Sequence, residues 1–304
     1  MPQGILPLDK PLGVRSTHCV ERVRRVIGRN IKVGHGGTLD SSASGLLVLL
    51  IGGATRLSGL IMDMPKVYRA VIRLGAETST CDFTGDQTSV SEWRGLNGSD
   101  VDGALTAFMG WRMQVPPKVS AVHVGGRRAH EILRGGGDPD IKPRPVFIES
   151  ISRTTDISEE GDFELLVRCG KGTYIRALAR DIGRALGCGA HIASLIRESV
   201  GPFSLSRAFN PGPDISPERS AVTGSVLPLE EIAKFLPSYS VTREDASRLA
   251  RGQNIRFSYA TRRTLGDHPP AHKVLLLSQE LFSVARLDNL DGGMQVAPDI
   301  NIPL

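Results

Sequence analysis

Six consecutive apolar residues, Leu46-Leu47-Val48-Leu49-Leu50-Ile51, constrain this chain more than any other stretch. A half-buried strand alternates apolar and polar side chains, so a run without alternation reads as a strand covered on both faces. Any fold the chain adopts must lay an apolar layer on each side of it. Upstream, Gly34-His35-Gly36-Gly37-Thr38 is a loop with almost no side-chain bulk, open to unusual dihedrals and to close approach of a ligand. Between loop and strand stands one carboxylate, Asp40, followed by Ser41-Ser42-Ala43-Ser44. An acid at the mouth of a buried strand is anchored by the core behind it, which suits a catalytic group. Taken alone, the same Asp also fits a turn or cap. Nucleotide binding at a helix N-terminus is disfavoured, because the loop precedes a strand and neither G-x-x-x-x-G-K-S/T nor G-x-G-x-x-G occurs.

The 304 residues suffice for one large domain and a smaller one. Lys and Arg outnumber Asp and Glu by 37 to 32, a mild bias towards a polyanionic partner. Cys19, Cys81, Cys169 and Cys188 are far apart and form no C-x-x-C pair, which argues for reduced thiols and against a disulfide framework or zinc site. No signal-peptide pattern opens the chain and no apolar run approaches membrane-spanning length, so a cytoplasmic protein is expected.

Gly4 to Gly13 reads as a short strand and a Pro/Gly turn presenting Lys10; Ser16 or Thr17 then caps a helix to Ile27. That helix carries Arg22, Arg24 and Arg25 opposite its apolar face, followed by Arg29 and Lys32, either a solvated face or a phosphate-contacting patch. Lys66 to Leu74 alternates with Tyr68, Ala70, Ile72 and Leu74 on the core side. Gly75 to Gly85 reads as a polar loop, and Leu105 to Trp111 as the end of a short helix. From Gln114 to Pro145, Arg and Lys stand on a Gly/Pro frame, the composition of a basic lobe suited to RNA backbone or of a long surface loop. A strand, Phe163 to Cys169, runs into Gly170-Lys171-Gly172-Thr173-Tyr174, and Thr173 caps a helix ending at Gly187. Arg176 sits in its first turn, unfavourably placed in the helix dipole, which points to a specific anion partner. From Ser238 a small β module follows, with a helix over Glu244 to Ala250 and strands near 274–277, 281–285 and 294–297.

Asp40, Tyr68, Lys171, Tyr174 and Arg176 are thus the residues with chemistry to offer. An Asp with an arginine partner stays ionised even when dry and serves as nucleophile or base. No Ser/His/Asp or Cys/His order and no metal-ligand cluster accompanies them, and no second acid shares the character of Asp40.

At these residues the chain resembles the bacterial tRNA pseudouridine synthase B family, from Gly4 to about residue 300. Its G-H-x-G-T-L-D-P-x-A-x-G is matched by Gly34 to Gly45, its K-x-Y-R by Lys66 to Arg69, and its K-G-T-Y-I-R by Lys171 to Arg176. D-K-P-x-G is present as Asp9 to Gly13 and G-C-G-A-H as Gly187 to His191. The resemblance implies an α+β fold: a mixed, largely antiparallel sheet flanked by helices over 1–236, and a small PUA-like β domain over 237–304. It implies an isomerase that converts uridine 55 in the T loop of tRNA to pseudouridine after flipping the base, without cofactor or metal and without an obligate protein partner. By the same resemblance Asp40 is the catalytic carboxylate, Arg176 its ion-pair partner and Tyr68 the ring stacked on uracil. His35, Lys10, Tyr174, Lys171 and Leu195 become substrate-binding residues, and a single working chain is expected.

Several positions depart from the family pattern. Gly36 replaces Thr or Ser and Ser41 replaces Pro, which predicts a looser Asp40 loop. Val119 and His123 stand where Tyr and Lys are usual, and Ala260 to Pro270 matches poorly. The departures around Asp40 motivate a second reading, an RNA-binding or RNA-folding protein that has lost or does not depend on catalysis; a third is the same reaction on another RNA.

Overall fold

The computed structural model describes residues 3–212, 215, 217–257, 273–290 and 293–304. The poorly matching stretch 260–270 lies outside them. The first half comprises β1 (Gly4–Lys10), α1 (Ser16–Ile27), β2 (Val33–His35), β3 (Ser44–Ile51), α2 (Ser58–Asp63), β4 (Lys66–Leu74), β5 (Ala76–Thr78), β6 (Gln87–Val90), α3 (Gly98–Thr106) and β7 (Gly110–Gln114). The basic lobe holds β8 (His123–Val124), β9 (Arg127–Arg128) and α4 (Ala129–Arg134). Next come β10 (Arg144–Arg153), β11 (Asp162–Cys169), α5 (Ile175–Ala185), β12 (Ala190–Val200), β13 (Phe203–Ser204) and α6 (Arg219–Gly224). The last stretch contributes β14 (Ser238–Ser240), α7 (Arg243–Ala250), β15 (Ile255–Phe257), β16 (Lys273–Leu277), β17 (Leu281–Leu290) and β18 (Gly293–Pro303).

The main sheet runs β1-β3-β12-β4-β11-β10-β7, with β2 added to β3 and β13 to β12. Every pair in it is antiparallel except β3 with β12, where Ser44 faces Ile196 and Gly45 faces Arg197. This parallel junction is tight. Gly45 has φ +100°, and a Cβ there would stand 2.5 Å from the Arg197 carbonyl oxygen, so glycine is required.

β3 is sealed on both faces, by different partners. Leu47, Leu49 and Ile51 share a core with Leu6 and Leu8 of β1 and with Cys19, Val23 and Ile27 of α1. Leu46, Val48 and Leu50 share another with Leu60 and Ile61 of α2 and with Leu275, Phe282, Val284 and Ile302 of the C-terminal strands. Those strands form a five-stranded sheet in the order β14-β16-β17-β18-β15. A third core lies under β4, β11 and β12, where α5 inserts Ile175, Leu178 and Ile182.

Four local expectations change. Trp111 lies in edge strand β7, 75% exposed, and α3 ends before it. α1 has Arg15 at its N-cap with no side-chain cap, because Ser16 is buried and turned towards Leu39. Thr173 does not cap α5; its hydroxyl donates to the Gly170 carbonyl instead. The segment 75–85 is no solvent loop: it contains β5, and Thr78 and Asp82 are buried. Among the described residues no helix is long and apolar enough to cross a membrane.

Candidate active site

The loop ahead of β3 is held residue by residue. The Gly36 amide donates to the Val48 carbonyl (2.9 Å). The Gly37 and Thr38 carbonyls accept from Arg197 Nη2 and Nη1 at 3.2 and 3.1 Å. Ser16 Oγ bridges both backbone groups of Leu39, accepting from its amide at 2.9 Å and donating to its carbonyl at 2.8 Å. The Asp40 carbonyl accepts from the Ala43 amide, and the Ser41 carbonyl from the Gly13 amide. Ser42 Oγ donates to Asp82 Oδ2 at 2.7 Å. A loop so tied cannot drift, and the carboxylate it carries is preorganised. Gly36 is part of this packing: a Cβ at that position would overlap Ile61 of α2. The looseness predicted from Gly36 is therefore corrected, because Ile61 fills the space a larger residue would take.

Asp40 meets Arg176, which donates to Asp40 Oδ2 through Nε (2.9 Å) and stands 2.7 Å from it through Nη2. The arginine side chain is 5% exposed and the carboxylate 43%, so the cation is fixed and the anion faces the opening. Arg176 is clamped further by the Thr80 and Val119 carbonyls at 2.9 and 3.0 Å. Asp82 Oδ2 lies 3.7 Å from its Nε. Asp82 is thus a second acid at the site, contrary to the sequence reading. Burial pushes its carboxyl up, but hydrogen bonds from Thr84, Thr80 and Ser42 outweigh burial and hold it below the ordinary carboxylate range.

The opening is a cavity of about 750 Å³ lined by Asp40, Tyr68, Lys171, Tyr174, Arg176 and Leu195 among others. Tyr68 on β4 pairs across the sheet with Arg197 on β12, and Leu195 lies two residues before Arg197 on the same strand. Burial pushes the Tyr68 hydroxyl up, opposed by the nearby Arg197 guanidinium. Tyr174 closes the start of α5, where its backbone N–H donates to Gln114 Oε1 (2.9 Å) and its carbonyl accepts from Gln114 Nε2 (3.2 Å). The Gln114 side-chain amide thereby satisfies a helix-end group that Thr173 leaves free. Lys171 stands at the rim, its ammonium 2.7 Å from Asp63 with both side chains largely exposed, a contact worth little.

Two candidates lie elsewhere. Lys10 is fully buried and donates to the Pro11 and Val14 carbonyls at 2.9 and 2.8 Å, so its turn does not present it to a ligand. Burial drops its pKa to about 8. His35 lines a neighbouring cavity, not that of Asp40, and its Nδ1 accepts from the Gly37 amide at 3.3 Å. Burial, then Arg197, pushes its imidazole down.

Sequence reasoning missed Arg197, Asp82, Gln114 and Ser16. Arg197 is 2% exposed and also donates to the Leu46 carbonyl at 2.7 Å. Lys66, another cavity residue, donates to the Met64 carbonyl at 2.6 Å, and burial lowers its pKa to about 8. Buried cations around one half-open carboxylate make the cavity receptive to an anionic ligand. Among the described residues no group of three or more His, Cys, Asp or Glu side chains is placed to hold a metal ion.

Comparison with known proteins places this arrangement. Residues 24–175 match the family described as TruB family pseudouridylate synthase (N terminal domain), and residues 176–211 match the tRNA pseudouridylate synthase B C-terminal domain. The chain is 40% identical over 258 residues to the tRNA pseudouridine synthase B of Synechococcus sp. (strain CC9311), covering 84% of this chain and 86% of that one. It is 39% identical to the Cutibacterium acnes protein of the same name over 97% of this chain and 96% of that one. The fold matches that in a crystal structure of a Cbf5-Nop10-Gar1 complex with a TM-score of 0.71 at 22% identity, over 99% of this chain and 85% of that one. An H/ACA RNP bound to a substrate RNA containing 2'-deoxyuridine gives a TM-score of 0.69 at 20% identity, over 98% and 84%. The pseudouridine synthase fold, the half-open acid clamped by arginine and the matches across most of the chain agree: this chain belongs to the TruB family of pseudouridylate synthases.

Proposed function

We propose that the protein isomerises uridine 55 in the T loop of tRNA to pseudouridine, with Asp40 as the reacting carboxylate. The observation that carries this reading is the placement of Asp40: ion-paired to a buried Arg176 yet open to a cavity walled by Tyr68 and Leu195. The reaction is redox-neutral. The bond from ribose C1′ to N1 of uracil breaks, the base turns, and C1′ bonds to C5; C5 loses its proton to solvent and N1 gains one. A base inside a stacked loop cannot reach a recessed acid, so the nucleotide is flipped out, Tyr68 stacks on the uracil and Leu195 bounds the pocket. Arg176 pairs with Asp40 and keeps it aimed while the base turns. Tyr174 lines the pocket and Lys171 meets backbone phosphate at the rim. The lobe over 112–146 and the PUA-like module over 237–304 hold the rest of the RNA, and the protein acts as a single chain in the cytoplasm.

The test uses a T-arm transcript tritiated at C5 of uridine, with wild type beside Asp40→Asn. Wild type is expected to release label into solvent and the variant to release none while still binding. Tight binding by both without release would replace this reading with that of an RNA-binding protein.

A further inference from the structure

The chain's excess charge is concentrated beside the active site. Residues 11–36 hold Arg15, Arg22, Arg24, Arg25, Arg29 and Lys32 against one acid, Glu21, leaving 31 basic and 31 acidic residues for all other positions. The lobe over 112–146 is also basic, but acids elsewhere offset it.

This segment forms a groove. Two adjoining cavities of about 430 and 330 Å³ share Arg24, Gly34 and Thr55 in their walls. The first reaches Thr17, Glu21, His35 and Ser58; the second is rimmed by Arg29 and Lys32. Arg24, Arg29 and Lys32 are exposed, and among the described residues none has a carboxylate within ion-pair distance. Arg69 and Arg73 of β4, Arg153 of β10 and Arg184 of α5 differ, each being paired with Asp or Glu; exposed Arg127, Arg128 and Arg134 of the lobe are like the groove in having no ion pair among the described residues. Cations left unpaired and grouped along a groove hold a favourable place for repeated negative charge.

Position gives the groove its meaning. The Asp40 cavity is lined by Gly37, Thr38, Gly59 and Met62, and also by Ala121, Arg144 and Pro145 of the lobe. The groove wall at His35 and Ser58 comes from the same two segments as the first four of these residues. The pocket and the groove are therefore neighbours that share these two segments.

We propose that the groove of Arg24, Arg29 and Lys32 binds the phosphodiester backbone of the RNA strand flanking the flipped nucleotide. The strand passes the shared segment at His35 and is gripped beside the pocket. The contact is to phosphate, so it is independent of base sequence. This rests on the RNA-modifying role proposed above.

The experiment measures binding in the Asp40→Asn background, so that no turnover intervenes. Fluorescence anisotropy with a labelled T-arm hairpin gives Kd from low to moderate salt for three proteins. These are the parent, Arg24→Gln/Arg29→Gln/Lys32→Gln, and Arg94→Gln, which lies over Trp93 at the far end of β4. Each lost phosphate contact lowers the slope of log K against log salt by about 1, so the triple variant is expected to lose roughly 2–3 and the control nothing. A hairpin of unrelated loop sequence is expected to show the same loss. An unchanged slope in the triple variant, with its thermal melt intact, overturns the proposal. Should the triple variant melt early, Lys32→Gln alone is read, and an unchanged slope there overturns it equally. Loss confined to the T-arm sequence also overturns it, since that is base reading. Absent tritium release by wild type, with slopes behaving as expected, rejects the catalytic reading and leaves the groove standing.

Discussion

Ile61 occupies the volume that any side chain at position 36 would require, and Gly36 is correspondingly buried with no room for a Cβ. The two residues belong to segments that meet at the Asp40 cavity, so their fit determines how the Asp40 loop lies on α2. Gly36→Ser is expected to destabilise the protein by about 1–3 kcal/mol through overpacking. Combining it with Ile61→Ala should recover part of that loss, so the double variant costs less than the two singles together. Urea unfolding of the four proteins tests this; strict additivity would show that the contact does not matter.

Asp82 shapes both stability and its pH dependence. Its folded-state pKa is depressed, so the unfolded chain binds more protons in the acid range. The stabilisation is therefore fully present above the ordinary carboxylate value near 4 and is lost as pH falls through and below it. Asp82→Asn is expected to cost about 2–3 kcal/mol at neutral pH and to flatten the acid limb of the stability curve. Arg176 also loses an anchor, so tritium release should fall. Thermal melts from pH 3 to 7 on both proteins check the slope; parallel curves would refute it.

Arg197 fixes the carbonyls of Gly37, Thr38 and Leu46 with three different nitrogens. A lysine keeps the charge but not the planar fork. Arg197→Lys should reduce kcat on the order of tenfold or more by loosening the loop that aims Asp40, with less change in KM for RNA. A fall in KM affinity alone, at full kcat, would count against a positioning role.

Gln114 serves the backbone of Tyr174 with both halves of its amide. Gln114→Leu leaves the part-buried Tyr174 N–H unsatisfied and is expected to cost about 1–2 kcal/mol. Gln114→Glu keeps the acceptor and should cost less. Equal losses in denaturant melts would mean that packing, not the hydrogen bond, is at stake.

The parts of the site legible in the sequence are those encoded locally. The unbroken run Leu46 to Ile51 announced a strand covered twice, and the alternation around Tyr68 announced its core-facing side. Arg176, ill-placed for the helix dipole, announced an anion, and Asp40 supplies it. What escaped depends on partners distant in sequence. Arg197 is 151 residues from Leu46, and Gln114 is 60 from Tyr174. Asp82 sits in a Thr-, Phe- and Gly-containing stretch that looks like an exposed turn, and only the fold reveals that its Thr neighbours turn inward onto it. Lys10 misled for the converse reason: a Pro/Gly turn usually lifts a lysine into water, whereas here two carbonyls draw the ammonium inside. His35, next to the glycines of the loop and a substrate-binding residue by resemblance, lines the cavity beside that of Asp40.

The second face of β3 shares its core with Phe282, Val284 and Ile302, which arrive from the last strands of the chain. The terminal sheet is therefore a keystone as well as an accessory. Cutting the chain after residue 236 would strip Leu275, Phe282, Val284 and Ile302 from a core that Leu60, Ile61, Leu229 and Ile232 still share, so a dead fragment would report on that core and reveal nothing about RNA affinity.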